Sequence, residues 1–143
     1  MSKLTDILMV NSDNVKAERQ VVFSTRPELM DAEGQPMMAT IKPMSSIDFG
    51  MYQKRCTKFK GKGKNKDFEF DTAKYNQMIV LNHVVDPDFK LEANLEKAGV
   101  KTPEQLMDHL LSAGEIANLA QEVLEASGFD NSIEDIKDEV KNS

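Results

Sequence analysis

The chain has 143 residues, which is enough for one domain of ordinary size and too few for two full ones. Its hydrophobic fraction of 40%, charged fraction of 29% and mean hydropathy of −0.47 are typical of a soluble globular protein and exclude a wholly disordered chain. The single cysteine, Cys56, excludes an intrachain disulfide, and the longest strongly apolar run, residues 78–81, is too short to span a bilayer. We therefore expect an intracellular protein that does not cross a membrane.

The formal net charge of −6 is unevenly distributed. Residues 54–66 contain seven lysines and arginines and no acid, so this segment carries +7 and the rest of the chain carries −13. Residues 86–143 alone carry −9. An acidic surface repels phosphate, so this half of the chain is not expected to bind duplex DNA.

The sequence pattern of the N-terminal part of the chain predicts one helix followed by two strands. Leu4, Ile7 and Leu8 give a weak helical stripe that ends near residues 11–14. Residues 20–24 and 38–41 are β-competent runs joined by a polar loop that contains prolines and a glycine. We expect the second strand to end before Pro43.

A second helix is predicted from Ser45, whose hydroxyl can cap the helix with Asp48 three residues later, to about Cys56. Its expected inner face contains Ile47, Met51 and Cys56. Residues 60–66 have two glycines and no apolar side chain, which predicts an exposed loop.

Asp71 or Thr72 can cap the next helix, predicted over residues 73–84 and expected to be the most buried element. A turn at residues 86–88 follows. Asp88 is expected to cap a short helix that ends at Gly99, since glycine commonly ends helices.

The clearest helix start is at Thr102, where a capping box with Gln105 coincides with proline at the first helical position. Apolar residues then recur at three- and four-residue spacing up to Leu124, which predicts strong amphipathicity. Gly114 either divides this stretch into two helices or softens one, and Ser127 with Gly128 marks its end.

These elements predict an α+β fold: a mainly helical single domain with a small N-terminal β element of about two strands and four to six helices. We expect a short helical arm over residues 1–15, one domain over residues 16–129, and an acidic, flexible tail over residues 130–143.

The sequence carries no complete catalytic or metal-binding motif. Cys56, His83 and His109 show no spacing typical of a thiol enzyme or a zinc site. The acids after residue 86 lack the glycine and the last glutamate of a calcium loop, and residues 61–64 lack the spacing of a phosphate-binding loop. We expect no enzyme activity, no metal and no cofactor.

Two sets of residues are candidates for binding a partner. The basic loop could contact nucleic acid phosphates, with Phe59 and Phe68 stacking on bases, or it could be a solvated loop that attracts an acidic protein or the acidic half of another copy. Its lysines are Lys58, Lys60, Lys62, Lys64 and Lys66. The amphipathic C-terminal face is the second candidate, either as a groove for a partner helix or as intramolecular core. It consists of Leu106, Met107, Leu110, Leu111, Ile116, Leu119 and Val123.

Several segments, in their order along the chain, resemble the XkdN-like tail assembly chaperones of phages and prophages of Gram-positive bacteria. None of them is a catalytic signature. They are residues 41–44 leading into 49–56, residues 70–71 with 75–76, residues 85–89, residues 98–99 followed by 102–104, residues 113–117 and residues 127–129.

The resemblance implies a protein of the host cytoplasm that binds the tape measure protein during tail assembly and is absent from the finished virion. It also implies a longer form, made by ribosomal frameshifting, whose extension recruits the major tail tube protein. Residues 140–142 could be encoded by a slippery heptamer for such a shift. A small nucleic-acid-associated regulator that uses residues 54–66 is the alternative function, and self-association is a further expectation.

Overall fold

The computed structural model describes residues 3–11, 17–61 and 67–129. Within these ranges there are six α-helices, one short 3₁₀ helix and five strands in two antiparallel sheets, which confirms the α+β prediction. The helices are α1 (Lys3–Asn11), α2 (Ser46–Cys56), α3 (Thr72–His83), α4 (Glu92–Ala98), α5 (Pro103–Leu110) and α6 (Ala113–Ala126). The strands are β1 (Arg19–Ser24), β2 (Met37–Ile41), β3 (Thr57–Lys60), β4 (Asp67–Phe70) and β5 (Val84–Asp86), and the 3₁₀ helix is Pro27–Leu29.

The first sheet has the order β1-β2-β5, so β2 is central and β1 and β5 are the edge strands among the described residues. β1 and β2 form where the two strands were predicted, and their register pairs Val21 with Ala39. Both residues are buried on the inner face, whereas Val22 and Met38 lie on the outer face and remain 45% and 44% exposed. The strand β5 was not predicted. It forms directly after α3 and pairs with β2, and this long-range contact leaves no periodic signal in a three-residue segment.

The helix starts follow the predicted capping side chains. Ser45, Asp71 and Thr102 each accept a hydrogen bond from the backbone NH three residues later. Thr102 and Gln105 complete the predicted capping box, and Gly99 ends α4 in the left-handed conformation at φ 72°. Asp88, however, does not cap α4. Its carboxylate accepts the Lys90 NH, and α4 begins four residues later, after Leu91.

The structure resolves the alternatives at Gly114 in favour of two helices. The break lies before Gly114, at Leu111 and Ser112, because the Ser112 hydroxyl and the Glu115 carboxylate form a second capping box that starts α6. Gly114 itself lies inside the first turn of α6.

The core lies between the inner face of the first sheet and the helices, with α3 packed against α2, α5 and α6. Ile79 and Val80 of α3 are fully buried, as are Ile41 of β2 and Val123 of α6. Five residues of α3 are buried, more than in any other described helix, as predicted.

The predicted inner face of α2 is correct at Cys56 and wrong at Ile47 and Met51. Ile47 is 80% exposed and Met51 is 38% exposed, whereas Tyr52 and Cys56 are buried. Phe49, Tyr52 and Cys56 share a helical face, and Phe49 contacts the rings of Tyr75 and Phe129. The aromatic contacts therefore set the orientation of the helix, and the aliphatic residues turn outward.

Candidate functional site

The predicted partner-binding face of α5 and α6 lies in the interior. Five of its seven members are buried, and the other two, Leu110 and Ile116, are partly buried and packed against the core. The five buried members are Leu106, Met107, Leu111, Leu119 and Val123. The sequence left open whether this face is core or groove, and in this structure its side chains contact the core.

The basic segment forms part of a β-hairpin, which was not predicted. Lys58 and Lys60 belong to β3, so the expected exposed loop begins one residue later than predicted, at Gly61. Lys62, Lys64 and Lys66 lie outside the described residues. In the register of the hairpin, Lys58 lies opposite Glu69 and Lys60 lies opposite Asp67. Two acids therefore lie in register with the two lysines of β3, which lowers the net positive charge of the strands.

The other face of the hairpin is aromatic. Phe59 and Phe68 are cross-strand partners whose ring centroids lie 4.8 Å apart, and they are 67% and 70% exposed. Phe70, nearer the base, contacts the buried Tyr75 with centroids 5.2 Å apart. The hairpin thus presents an exposed aromatic pair on a short arm whose base is closed by a hydrogen bond from Asp71 NH to the Cys56 carbonyl, 2.8 Å.

The helix α1 is the second exposed apolar surface. Five of its nine residues are large and apolar, and every one of them is exposed, from 43% to 87%. They are Leu4, Ile7, Leu8, Met9 and Val10. An isolated helix of nine residues is marginal in water, so packing against another surface would stabilise it.

The body of the domain carries, among others, a groove beside α3 and a groove beside β1. The larger, about 830 Å³, runs between the start of α3 and the α5–α6 junction. Leu111, Ile116 and Ala113 give it an apolar lining, and Asp71 and Asp108 are the acids on it. The smaller, about 560 Å³, lies between the edge strand β1 and α6, and contains Glu115 and Glu122.

A polar cluster fixes the α5–α6 junction to the end of β1. The Arg26 Nε lies 3.0 and 3.1 Å from the two carboxylate oxygens of Glu115, and the guanidinium also donates to the Leu110 carbonyl. The Ser24 hydroxyl donates to the same carboxylate. Burial alone would raise the pKa of Glu115, but the hydrogen bonds from Ser112, Ser24 and Arg26 outweigh it and lower that pKa to about 2.

The candidate catalytic residues are not brought into one arrangement. The Cys56 thiol is buried against the Met78 sulfur at 3.6 Å, and burial raises its pKa. His83 is buried, contacts the Tyr52 hydroxyl at 2.8 Å and the Lys42 carbonyl at 3.2 Å, and has a pKa lowered by burial. His109 is exposed on α5. Each of the three therefore has a structural environment of its own.

No group of three or more metal-ligating side chains lies together in the ranges described. Among the helices in those ranges, none is long and apolar enough to cross a membrane.

The family model described as "Phage XkdN-like tail assembly chaperone protein" matches residues 4–141. Two proteins of Bacillus subtilis (strain 168), the phage-like element PBSX protein XkdN and the uncharacterized protein YqbN, are each 28% identical to the chain over 127 residues. Each alignment covers 87% of this chain and 84% of the relative.

A crystal structure of the protein YqbN has a similar fold. It superposes with a TM-score of 0.60 and 22% identity over 86% of this chain and 95% of its own. A solved structure therefore has a similar arrangement of helices and sheets.

Proposed function

The chain belongs to the XkdN-like family of phage tail assembly chaperones, and we propose that it binds the tape measure protein during tail assembly and helps to recruit tail tube subunits. The observation that carries the proposal is the match over residues 4–141, which covers nearly the whole chain. The likeness to the prophage protein XkdN supports a prophage origin.

The physical task of such a chaperone agrees with the exposed surfaces. A tape measure protein is a long, largely helical chain, and its apolar stripes invite aggregation until tube subunits enclose them. A helix that packs along such a stripe covers it reversibly. We assign this contact to α1, because its apolar side chains are exposed and a helix this short gains stability from a helical partner.

The remaining parts of the proposal follow from the family. The chaperone acts in the cytoplasm of the bacterial host, has no catalytic step and leaves before the virion is complete. A longer form, made by a frameshift near residues 140–142, carries the extension that recruits the major tail tube protein. Those three residues lie outside the described ranges.

The test is an affinity purification from cells in which the phage genes downstream are intact and tails are being made. The tag is inserted in the exposed turn at residues 31–34, which leaves both α1 and the C-terminus unaltered and labels both translation products. We expect mass spectrometry to find a very long helical protein, and immunoblotting to show a minor larger tagged band.

Absence of any long partner under these conditions would contradict the proposed function. Recovery of nuclease-sensitive nucleic acid in its place would favour the regulator. The two are separated by a variant in which Lys60, Lys62, Lys64 and Lys66 are replaced by glutamine: it should retain the tape measure protein, but would lose nucleic acid in a salt-sensitive manner if that were the ligand.

A further inference from the structure

The aromatic pair on the β3–β4 hairpin has no covering contact among the described residues. Phe59 and Phe68 are 67% and 70% exposed although their tilted rings contact each other, so most of their surface is in water. Two adjacent exposed aromatic rings are typical of the anchors that bury at a protein interface.

We propose that this hairpin docks into the groove between α3 and the α5–α6 junction of a second copy of the chain. The groove of about 830 Å³ is within the size range of pockets that enclose anchoring groups, and Leu111 and Ile116 give it an apolar floor for aromatic rings. The proposal concerns self-association of the chain and does not depend on the proposed function.

Charge complementarity identifies the occupant as another copy. The chain carries +7 over residues 54–66 and −13 elsewhere. Residues 86–129, which include α5 and four of the ten residues that line the groove, contain nine acids and three lysines. Asp71 and Asp108 are on the groove, together with Lys74, whose ammonium is 3.4 Å from the Arg55 carbonyl. A basic hairpin is therefore attracted to the acidic side of a neighbour.

The hairpin cannot occupy the groove of its own copy in this structure. Its base is fixed between α2 and α3 by the bond from Asp71 NH to the Cys56 carbonyl, and its four residue pairs extend from there without a break in register. The exposure of Phe59 and Phe68 shows that they lie outside the groove. Pairing of two hairpins with each other is disfavoured because each hairpin, residues 57–70, contains five lysines and two acids and therefore carries a net charge of +3.

Because the hairpin and the groove are different surfaces, two copies can exchange hairpins in a closed dimer, and a single contact leaves one hairpin and one groove free for further copies to add head to tail. The contact should also weaken with salt, since part of the attraction is between exposed charges.

Sedimentation velocity of the purified full chain tests the proposal. The average mass of the wild type should rise with concentration at about 0.1 M salt and rise less at about 0.5 M. The double variant Phe59→Ser/Phe68→Ser removes the two aromatic anchors, and the variant Ala73→Arg places a long side chain in the groove. Each variant should raise the dissociation constant of self-association at least about tenfold, which is the effect of losing one good interface anchor. Leu91→Ser and Ala93→Arg are matched controls at exposed sites away from both surfaces.

Mixing the two defective variants gives the decisive result. The hairpin variant keeps its groove and the groove variant keeps its hairpin, so an equimolar mixture should form dimers and nothing larger. A wild type that is monomeric at all concentrations, a hairpin variant that assembles like the wild type, or a mixture that stays monomeric would each overturn the proposal. Circular dichroism of each variant checks its fold, and the groove variant alone keeps the test valid if the hairpin variant unfolds.

Discussion

Two buried tyrosines differ in whether their hydroxyl groups have partners. The Tyr52 hydroxyl contacts His83 Nε2 at 2.8 Å, and the imidazole contacts the Lys42 carbonyl, so this pair joins α2 to the end of α3 and to the exit of β2. The Tyr75 hydroxyl is buried and has no hydrogen-bond partner among the described residues. Burial raises the pKa of Tyr75 to about 12.

We therefore expect the same substitution to have opposite effects at the two positions. Tyr75→Phe should raise the free energy of unfolding by about 1 kcal/mol, because it removes a polar group that lost its water on folding. Tyr52→Phe should lower it by about 1 to 3 kcal/mol, because the buried His83 nitrogen would lose its partner. Urea unfolding measures both, and a loss of similar size at both positions would contradict this assignment.

The carboxylate of Glu115 makes stability depend on acid pH. Its pKa is lowered from 4.5 to about 2, so the unfolded chain binds a proton more readily than the folded one in this interval. The stabilisation by Glu115 is therefore complete above about pH 4.5 and is lost as pH falls toward 2. Unfolding measured from pH 7 to pH 2 should show Glu115→Gln less stable than the wild type at pH 7, with the difference shrinking below pH 4.5.

Glu125→Gln, at an exposed acid on the same helix, is the control and should follow the wild-type curve. If Glu115→Gln followed it too, the cluster of Arg26, Ser24 and Glu115 would not contribute to the stability of the α5–α6 junction.

At the scale of elements, the local signals were the predictable ones. Hydroxyl and carboxylate caps act within three residues, so Ser45, Asp71 and Thr102 could be recognised as helix starts from the local sequence, whereas Asp88 does not cap α4. The end of α4 at Gly99 could also be predicted locally, because the left-handed backbone conformation that ends the helix favours glycine.

The two glycines Gly99 and Gly50 make this argument testable. A methyl group at either position would meet no atom within 4 Å, so only the backbone conformation distinguishes them. Gly99→Ala should lower the free energy of unfolding by about 1 kcal/mol, since φ is 72° there. Gly50→Ala, inside α2, should raise it by up to about 1 kcal/mol through helix propensity. Thermal unfolding compares the two, and equal shifts would refute the conformational explanation.

Features that depend on contacts between distant segments could not be predicted. The strand β5 exists because β2 lies beside it, and the hairpin forms although both of its strands are short and highly charged. The orientation of α2 depends on Phe129, some 80 residues away, so apolar spacing alone assigned Ile47 and Met51 to the wrong face. The candidate binding site was the hardest feature to predict, because a stripe of leucines at helical spacing is equally compatible with the protein core and with a binding groove.

In the molecule as a whole, the large apolar side chains of the described residues are divided between a core that stabilises the domain and exposed positions, most of which lie on α1 and the hairpin. The C-terminal face, which the sequence proposed for partner binding, belongs to the first category, with Leu119 and Val123 essentially fully buried. The exposed elements are the surfaces whose side chains can bind without unfolding the domain.

This division predicts that substitutions in the core impair folding, whereas substitutions on α1 impair partner binding and leave the fold intact. Leu119→Asp should unfold the domain, because an unpaired carboxylate in the core costs several kcal/mol. Leu8→Asp on α1 should change the free energy of unfolding by less than about 0.5 kcal/mol, because Leu8 is 46% exposed, yet it should reduce capture of the tape measure protein in the affinity purification. Leu91→Asp, at a leucine 50% exposed, is the matched control and should leave capture unchanged. Normal capture by a folded Leu8→Asp variant would remove α1 from the proposed interface, whereas equal loss in Leu91→Asp would mean that added charge alone, at either surface, prevents binding.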